Sequence, residues 1–412
     1  MAASSPCSAF SPSIILASNP RLHLPGSTDP PSEANPPTQK VWLVFGATGQ
    51  IGRSLVKTAL LHGDNVAAVG RTLENTMAQM QGWHERCLGL LCDVRVRDTV
   101  KAALDRTIAH FGRVDIIVNC TGYGVIAACE DQDTCDLRSQ FETNFLGTLN
   151  IIQLSLPYFR AQSVKRKDPE RENAGRYLIF SSTSGALGVP GLGPYCATKY
   201  ATEGLIESML YEIDAFGIKA TLVEPGHVRL DEPTGLDDKA LDASISNVGA
   251  AHKLKRYGHF LVKKPSPPYD TETAPAGHAR RVVQWLADRQ PSSAVKSAEL
   301  VWQLGHCRYP PLRLLLGSFA VESVRDRLRS VIEEIEDWKY LNFPVAGEEN
   351  GVNGKGRKGN DKGDAANDDE DARGEGAEAE MDVDVDDAEG EEDANAGADY
   401  DAGDDPQTEE DG

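Results

Sequence analysis

The 412-residue sequence predicts an α/β fold, a doubly wound parallel sheet in a single domain, from two features of its middle. Short unbroken apolar runs alternate with longer amphipathic segments, and a glycine-rich turn directly follows the first of those runs. A strand buried on both faces reads as a continuous apolar run. Its alternation with helical segments specifies βαβ units, with helices covering both faces of the sheet.

Residues 1–38 are Pro/Ser-rich, with Pro30-Pro31 and Pro36-Pro37, and lack apolar periodicity, so they are expected to form a disordered leader. The Ser-rich, acid-poor beginning resembles an organelle transit peptide, but Arg21 is its only basic residue up to Leu24, and a plain leader is the favoured reading. The folded domain is expected over 39–342. Its strands are predicted at Val41–Phe45, Val66–Val69, Leu88–Cys92, Asp115–Asn119, Tyr177–Ser181 and Ile218–Val223, with Leu312–Leu316 as an added edge strand. Between about 228 and 274 the pattern weakens around Pro233, Gly235, Pro265 and Pro267-Pro268, which suggests an irregular substrate loop. Val321, Val324, Leu328, Val331, Ile335 and Trp338 then recur at spacings of 3 and 4, predicting a helix with one buried stripe that packs on the domain.

From 347 to 412, 26 acidic residues face only five basic ones, a net of −21 that equals the charge of the whole chain. The folded part is therefore formally neutral, which argues against nucleic acid as a partner. The tail has almost no large apolar residues to offset its ordering entropy and is expected to be disordered. The eight cysteines show no C-x-x-C pair and no zinc-ligand spacing, so no metal is expected, and free thiols point to a reducing compartment. No apolar run approaches the roughly 18 to 20 residues of a transmembrane segment. A cytoplasmic location is expected, and a homodimer is allowed.

After the first strand come Gly46-Ala47-Thr48-Gly49-Gln50-Ile51-Gly52 and then a helical pattern. A turn without Cβ atoms admits a pyrophosphate, and the helix N-terminus behind it supplies free N–H donors. This is the dinucleotide site of a Rossmann-type unit. At the end of the second strand, where an NAD site usually places a carboxylate for the ribose 2′-hydroxyl, stand Gly70-Arg71. A guanidinium suits a 2′-phosphate, so the expected cofactor is NADP(H). Asp93, after the third strand, is a candidate acceptor for the adenine amine.

Ser182 closes the fifth strand, Tyr195 follows thirteen residues later, and Lys199 lies one helical turn beyond Tyr195. A phenol with a reference pKa near 10 needs a cation beside it to act as a base near neutrality. Lys199 can supply that charge, and Ser182 can hydrogen-bond a substrate oxygen. His227 is read as structural, and Cys196 as a small buried side chain.

With these residues on the page, the sequence resembles the short-chain dehydrogenase/reductase family over about 40–342. The motifs come in family order: Gly46 to Gly52, Asp93-Val94, Asn119 to Gly122, Asn144, Ser181-Ser182 with Gly185, Tyr195 with Lys199, and Pro225-Gly226. The stretch around Tyr195-Cys-Ala-Thr-Lys-Tyr-Ala-Thr-Glu-Gly204 is most similar to the steroid and retinol dehydrogenase branch and its fungal relatives. The resemblance implies a catalytic set of Ser182, Tyr195, Lys199 and Asn144, with Asn144 anchoring a water in the proton relay and Lys199 also binding the nicotinamide ribose. It further implies cofactor contacts from Thr48, Gln50 and Ile51 with the three glycines, from Asp93 and Val94, and from Asn119 and Gly122. Pro225, Gly226 and Val228 complete the cofactor contacts. Glycine spacing of 3 and 3 is instead that of the longer nucleotide-sugar branch, and Phe45, Cys120-Thr121 and Leu230 depart from the usual pattern. The expected activity is NADP(H)-dependent interconversion of a lipophilic alcohol and its aldehyde or ketone, suggested by apolar Leu187, Val189 and Leu192 near the relay. A nucleotide-sugar epimerase or dehydratase and a non-enzymatic NADP(H)-binding scaffold are the competing readings.

Overall fold

The structure is a computed structural model that describes residues 22–71, 80, 82–165, 174–229, 255–257, 259–279, 281 and 292–341. The chain divides into two units, Met1–Phe343 and Pro344–Gly412. The second unit, which contains the acidic tail, lies outside the described residues, as do the first 21 residues of the leader.

The first unit is built on a seven-stranded, fully parallel sheet. Its strands in chain order are β1 (Val41–Phe45), β2 (Asn65–Gly70), β3 (Cys87–Leu91), β4 (Ile116–Asn119), β6 (Gly175–Phe180), β7 (Ile218–Pro225) and β12 (Arg313–Leu316). The spatial order is β12-β7-β6-β4-β1-β2-β3. Each predicted strand is present within two residues of its expected ends, and the expected edge strand pairs with β7 through Leu314 and Val223. The chain builds outward from β1 to β3, then returns to lay β4 against the other side of β1. That reversal opens a crevice between the C-terminal ends of β1 and β4, the place where open α/β sheets bind ligands.

Alternation along β1 divides the core. Leu43 and Phe45 face helices α2 (Arg97–Phe111), α4 (Gly147–Lys165) and α5 (Gly193–Ile213), whereas Trp42 and Val44 face α1 (Gln50–Leu61) and α6 (Ala294–His306). Helix α6 is fixed by a buried carboxylate: Asp64 Oδ2 accepts from Trp42 Nε1 and Trp302 Nε1, both at 2.9 Å, and lies 2.9 Å from His306 Nε2. A short helix, α3 (Thr134–Phe141), starts at a reciprocal capping box between Asp133 and Asp136.

Three expectations require correction. From Leu22 onward the leader is seated on the body: Leu24 is buried, its N–H donates to Gln303 Oε1, and Gln303 Nε2 donates to Leu22 O. Asp29 O and Thr28 O accept from the backbone of Arg308 and Tyr309, so ordering entropy is offset by paired backbone rather than by an apolar stripe. The described part of the 228–274 stretch is not wholly irregular. It contributes β8 (Val228–Arg229), β9 (Lys255–Tyr257) and β10 (Phe260–Val262), and β10 pairs with β9 and with β5 (Gly124–Ile126). Strand β8 pairs with β11 (Ser292–Ser293). Residues 230–254, including Leu230, lie outside the described residues. The third correction concerns α7 (Ser318–Trp338), whose apolar stripe is not buried beyond its first turn.

Candidate active site

The crevice between β1 and β4 begins with the glycine turn. Gly46 has φ +80°, and a Cβ there would lie 2.9 Å from the carbonyl carbon of Cys120 on the far wall. A Cβ on Gly52 would sit 2.3 Å from Gly46 O, so α1 can press against the turn only because position 52 is bare. Gly49 is the N-cap of α1, no side chain caps that end, and its first turn carries no acidic residue. Thr48, Gln50 and Ile51 flank these glycines, and the helix presents backbone donors and its positive dipole end to the crevice.

Beyond β2, Arg71 is exposed, and its charge acts on Asp93. Asp93 is itself held by Arg95, whose Nε donates to Oδ1 at 3.0 Å and Nη2 to Oδ2 at 2.6 Å. Although burial opposes it, this pairing holds the Asp93 carboxyl below its ordinary range. Arg95 therefore joins Arg71 at this end of the crevice, a cation that no sequence motif marked. Val94 packs against Gly147, and its carbonyl accepts from Asn150 Nδ2. After β4, Asn119 Oδ1 accepts from the N–H and hydroxyl of Thr121, and Asn119 Nδ2 donates to Thr148, which fixes the far wall. Gly122 passes so near Asn144 and Lys199 that a Cβ would lie 3.2 Å from Asn144 Oδ1 and 3.4 Å from Lys199 Nζ.

Tyr195 and Lys199 lie on the inward stripe of α5, which continues downward through Ile206, Met209 and Ile213 into the core. Apolar packing below thus sets the position of the polar pair above. Ser182 stands near enough to the Tyr195 phenol to act against the upward pull of burial on it. Lys199 Nζ donates to Phe180 O at 3.0 Å and stands 5.7 Å from the centre of the Tyr195 ring. Burial pushes the Tyr195 phenol up and the Lys199 ammonium down to about 8, the latter partly opposed by the charge of Glu203. Ser182, Tyr195 and Lys199 are thus brought together where α5 meets the end of β6.

Asn144 joins them on a π-helical turn, Glu142–Leu146, between α3 and α4. Its Oδ1 accepts from Tyr123 N, and its Nδ2 donates to Tyr123 O and to Thr198 Oγ1 beside Lys199. The side chain therefore ties the loop after β4 to α5. On the far side of β7, Gly226 N donates to Leu316 O, Pro225 ends the strand and Val228 begins β8. His227 is driven down to about 4 by burial, hence neutral at pH 7, and its ring lies 5.7 Å from that of Phe319.

Over the Tyr195 ring lies an apolar cluster of Ile126, Leu192, Phe260 and Val262, with Val189 packed on it. Phe260 meets the Tyr195 ring edge-on at 5.2 Å between centres. Beside it, the exposed His259 brings Nε2 to 3.3 Å from Tyr195 Oη. Sequence reasoning missed His259 because it sits in the weakly patterned 228–274 stretch, 64 residues from its partner.

The family model described as short chain dehydrogenase matches residues 40–238, which contain the turn, the far wall and the Ser-Tyr-Lys group. The chain belongs to the short-chain dehydrogenase/reductase family. Among its relatives is Oxidoreductase BOA17 of Botryotinia fuckeliana, 28% identical over 308 residues, covering 74% of this chain and 99% of the relative. Mouse 17-beta-hydroxysteroid dehydrogenase type 1 is 29% identical over 247 residues, 56% of this chain and 68% of that protein. A short-chain dehydrogenase from Streptomyces avermitilis superposes with a TM-score of 0.58 at 28% identity, covering 73% of this chain and 98% of its own. Fungal oxidoreductases and a steroid dehydrogenase thus stand among the relatives of this family member, as its α5 motif implied.

Proposed function

We propose that this short-chain dehydrogenase/reductase interconverts a lipophilic alcohol and its aldehyde or ketone with NADP(H). The observation that carries the reading is the Tyr195 hydroxyl, with Ser182 near it, the Lys199 ammonium 5.7 Å from the centre of its ring and an apolar cluster beside it. The residues present fit a dinucleotide. Gly46 and Gly52 leave a cradle that side chains would fill, α1 offers its uncapped N-terminus to a pyrophosphate, and Arg71 and Arg95 offer cations for a 2′-phosphate.

When bound, the nicotinamide supplies hydride to the substrate carbon, or takes it. In the reductive direction Tyr195, kept as a phenol by its burial, donates its proton to the carbonyl oxygen while Ser182 hydrogen-bonds the same atom. Lys199 stabilises the resulting phenolate, and the proton is replaced from solvent past Lys199 and Asn144, whose position the π turn holds. Leu192, Val189 and Phe260 favour an apolar substrate, consistent with the steroid named for the mouse relative. Among the described residues no helix is long and apolar enough to cross a membrane.

Turnover of NADPH against a panel of aldehydes, ketones, retinoids and steroids tests the reading. Net NADPH oxidation with an apolar carbonyl is expected. Product formation without net cofactor consumption would instead indicate an epimerase, and no turnover with tight NADPH binding would indicate a scaffold.

A further inference from the structure

Helix α7 leaves most of its length outside the body. Ala320 is its one buried residue, Val321, Val324 and Val331 are half-buried, and Leu328, Ile335 and Trp338 are 57%, 60% and 60% exposed. Six of the seven large apolar residues of α7 after Ala320 recur at intervals of 3, 4, 3, 4 and 3, which assigns them to positions a and d of three consecutive heptads, and the seventh, Ile332, 59% exposed, flanks the seam at position e. An a/d repeat of alternating 3 and 4 sustained over three heptads is the pattern of a helix paired with another helix.

Charge indicates which helix. Arg325, Arg327 and Arg329 occupy the first half of the exposed segment, and Glu333, Glu334, Glu336 and Asp337 the second. With Glu322 and Asp326 the helix carries six acidic and three basic residues, so it is repelled by an anionic membrane. Its two halves are instead complementary to each other in reverse order.

We propose that α7 is a self-association surface, pairing with α7 of a second copy of this chain as an antiparallel two-helix coiled coil. Placing Leu328 opposite Val331 of the second copy sets Val324 opposite Ile335 and Val321 opposite Trp338. Arg327, at position g, then meets Glu334 of the second copy, and the pair occurs twice by symmetry. Within one helix Arg327 Nη1 already lies 4.0 Å from Glu334 Oε1, so the two side chains flank the same side of the seam. Each body joins its helix at the N-terminal end, and antiparallel pairing keeps the bodies about 30 Å apart along the seam. Parallel pairing would crowd both bodies at one end and set Arg327 opposite Ile332 rather than Glu334.

Sedimentation of the full chain across the micromolar range tests the pairing. The wild type is expected to be dimeric, and Leu328→Glu with Ile335→Glu monomeric, with an unchanged circular dichroism spectrum. Arg327→Glu and Glu334→Arg should each weaken dimerisation at least about tenfold, and combining them should restore it. These charge exchanges lie on the exposed surface, so they decide the matter even if the double glutamate variant fails to fold. A wild type that stays monomeric at tens of micromolar, as when the leader covers the seam in its own chain, would overturn the proposal. So would a dimer indifferent to the seam substitutions, or a double exchange that leaves dimerisation impaired.

Discussion

His259 Nε2 lies 3.3 Å from the Tyr195 hydroxyl, so the phenol is approached from the β9–β10 side by an imidazole as well as by Ser182. In the proposed reaction Tyr195 carries the transferable proton, and His259 orients the hydroxyl from the substrate side. Tyr195→Phe is expected to lower kcat by about 10² to 10⁴-fold while leaving NADPH affinity intact. His259→Ala removes one hydrogen bond worth about 1 kcal/mol and should lower kcat/KM roughly five- to tenfold. Steady-state kinetics with cofactor titration checks both. A Tyr195→Phe enzyme retaining a tenth of wild-type turnover would remove Tyr195 from the proposed role.

Lys199 gives the reaction a pH limb. Burial lowers its ammonium to about 8, so it is charged below that pH and neutral above it. Only the charged form stabilises the phenolate left by proton donation. Reductive kcat/KM is therefore expected to fall as pH rises through about 8. Lys199→Arg keeps its charge throughout that range and should lose the limb even if its overall rate is lower. An unaltered limb in Lys199→Arg would assign it to another group.

The sheet was legible because its central strands are buried on both faces. Val41–Phe45 could only be apolar throughout, and the glycine turn directly after it marked it as the first strand. The proximity of Ser182, Tyr195 and Lys199 was legible because a strand end and one helical turn fix their relation. Two- and three-residue strands such as Val228–Arg229 and Phe260–Val262 are too short to show a period, so the small sheets beside the site were invisible, and His259 with them. The π turn at Asn144 depends on tertiary bonds to Tyr123 and Thr198 rather than on local sequence. The stripe on α7 was legible as apolar but not as free, because spacing identifies an apolar face without identifying what covers it.

Behind Ser181, Glu224 carries a stability signature. Its side chain is fully buried with Glu203 and Glu207 nearby, and Arg313 pairs with all three carboxylates. Burial and repulsion by Glu203 outweigh Arg313, push the Glu224 carboxyl up to about 7, and leave its Oε2 without a hydrogen-bond partner. Because the folded pKa is raised, the folded chain holds a proton that the unfolded chain releases between about 4.5 and 7. Stability should fall as pH rises through that window, by at most about 3 kcal/mol, and then level off. Glu224→Gln, neutral at every pH, should flatten this limb and raise Tm at pH 8. Denaturant titrations of both proteins at several pH values measure the difference, and parallel pH curves would rule Glu224 out as its source.

Cofactor choice is the sharpest test of the adenosine end of the crevice. Arg71 is exposed after β2, and Arg95 is held beside it by Asp93, so a 2′-phosphate would meet two guanidinium groups where a ribose hydroxyl would meet no carboxylate free to bond it. One charge-assisted hydrogen bond contributes about 1.5 to 3 kcal/mol, or roughly 10 to 150-fold in affinity. NADPH should be preferred over NADH by that order, and the gap should narrow as salt screens the exposed Arg71. Arg71→Ala should weaken NADPH and leave NADH nearly unchanged, and Arg71→Glu should reverse the preference by repelling the phosphate. Gly70→Asp is a poorer probe, because a Cβ at Gly70 would lie 2.6 Å from Thr48 Cγ2 and disturb the glycine turn for both cofactors alike. Fluorescence titration of NADPH and NADH against the wild type and the two Arg71 variants, at low and high salt, separates these effects. Equal wild-type affinity for the two cofactors would reduce Arg71 to a surface arginine.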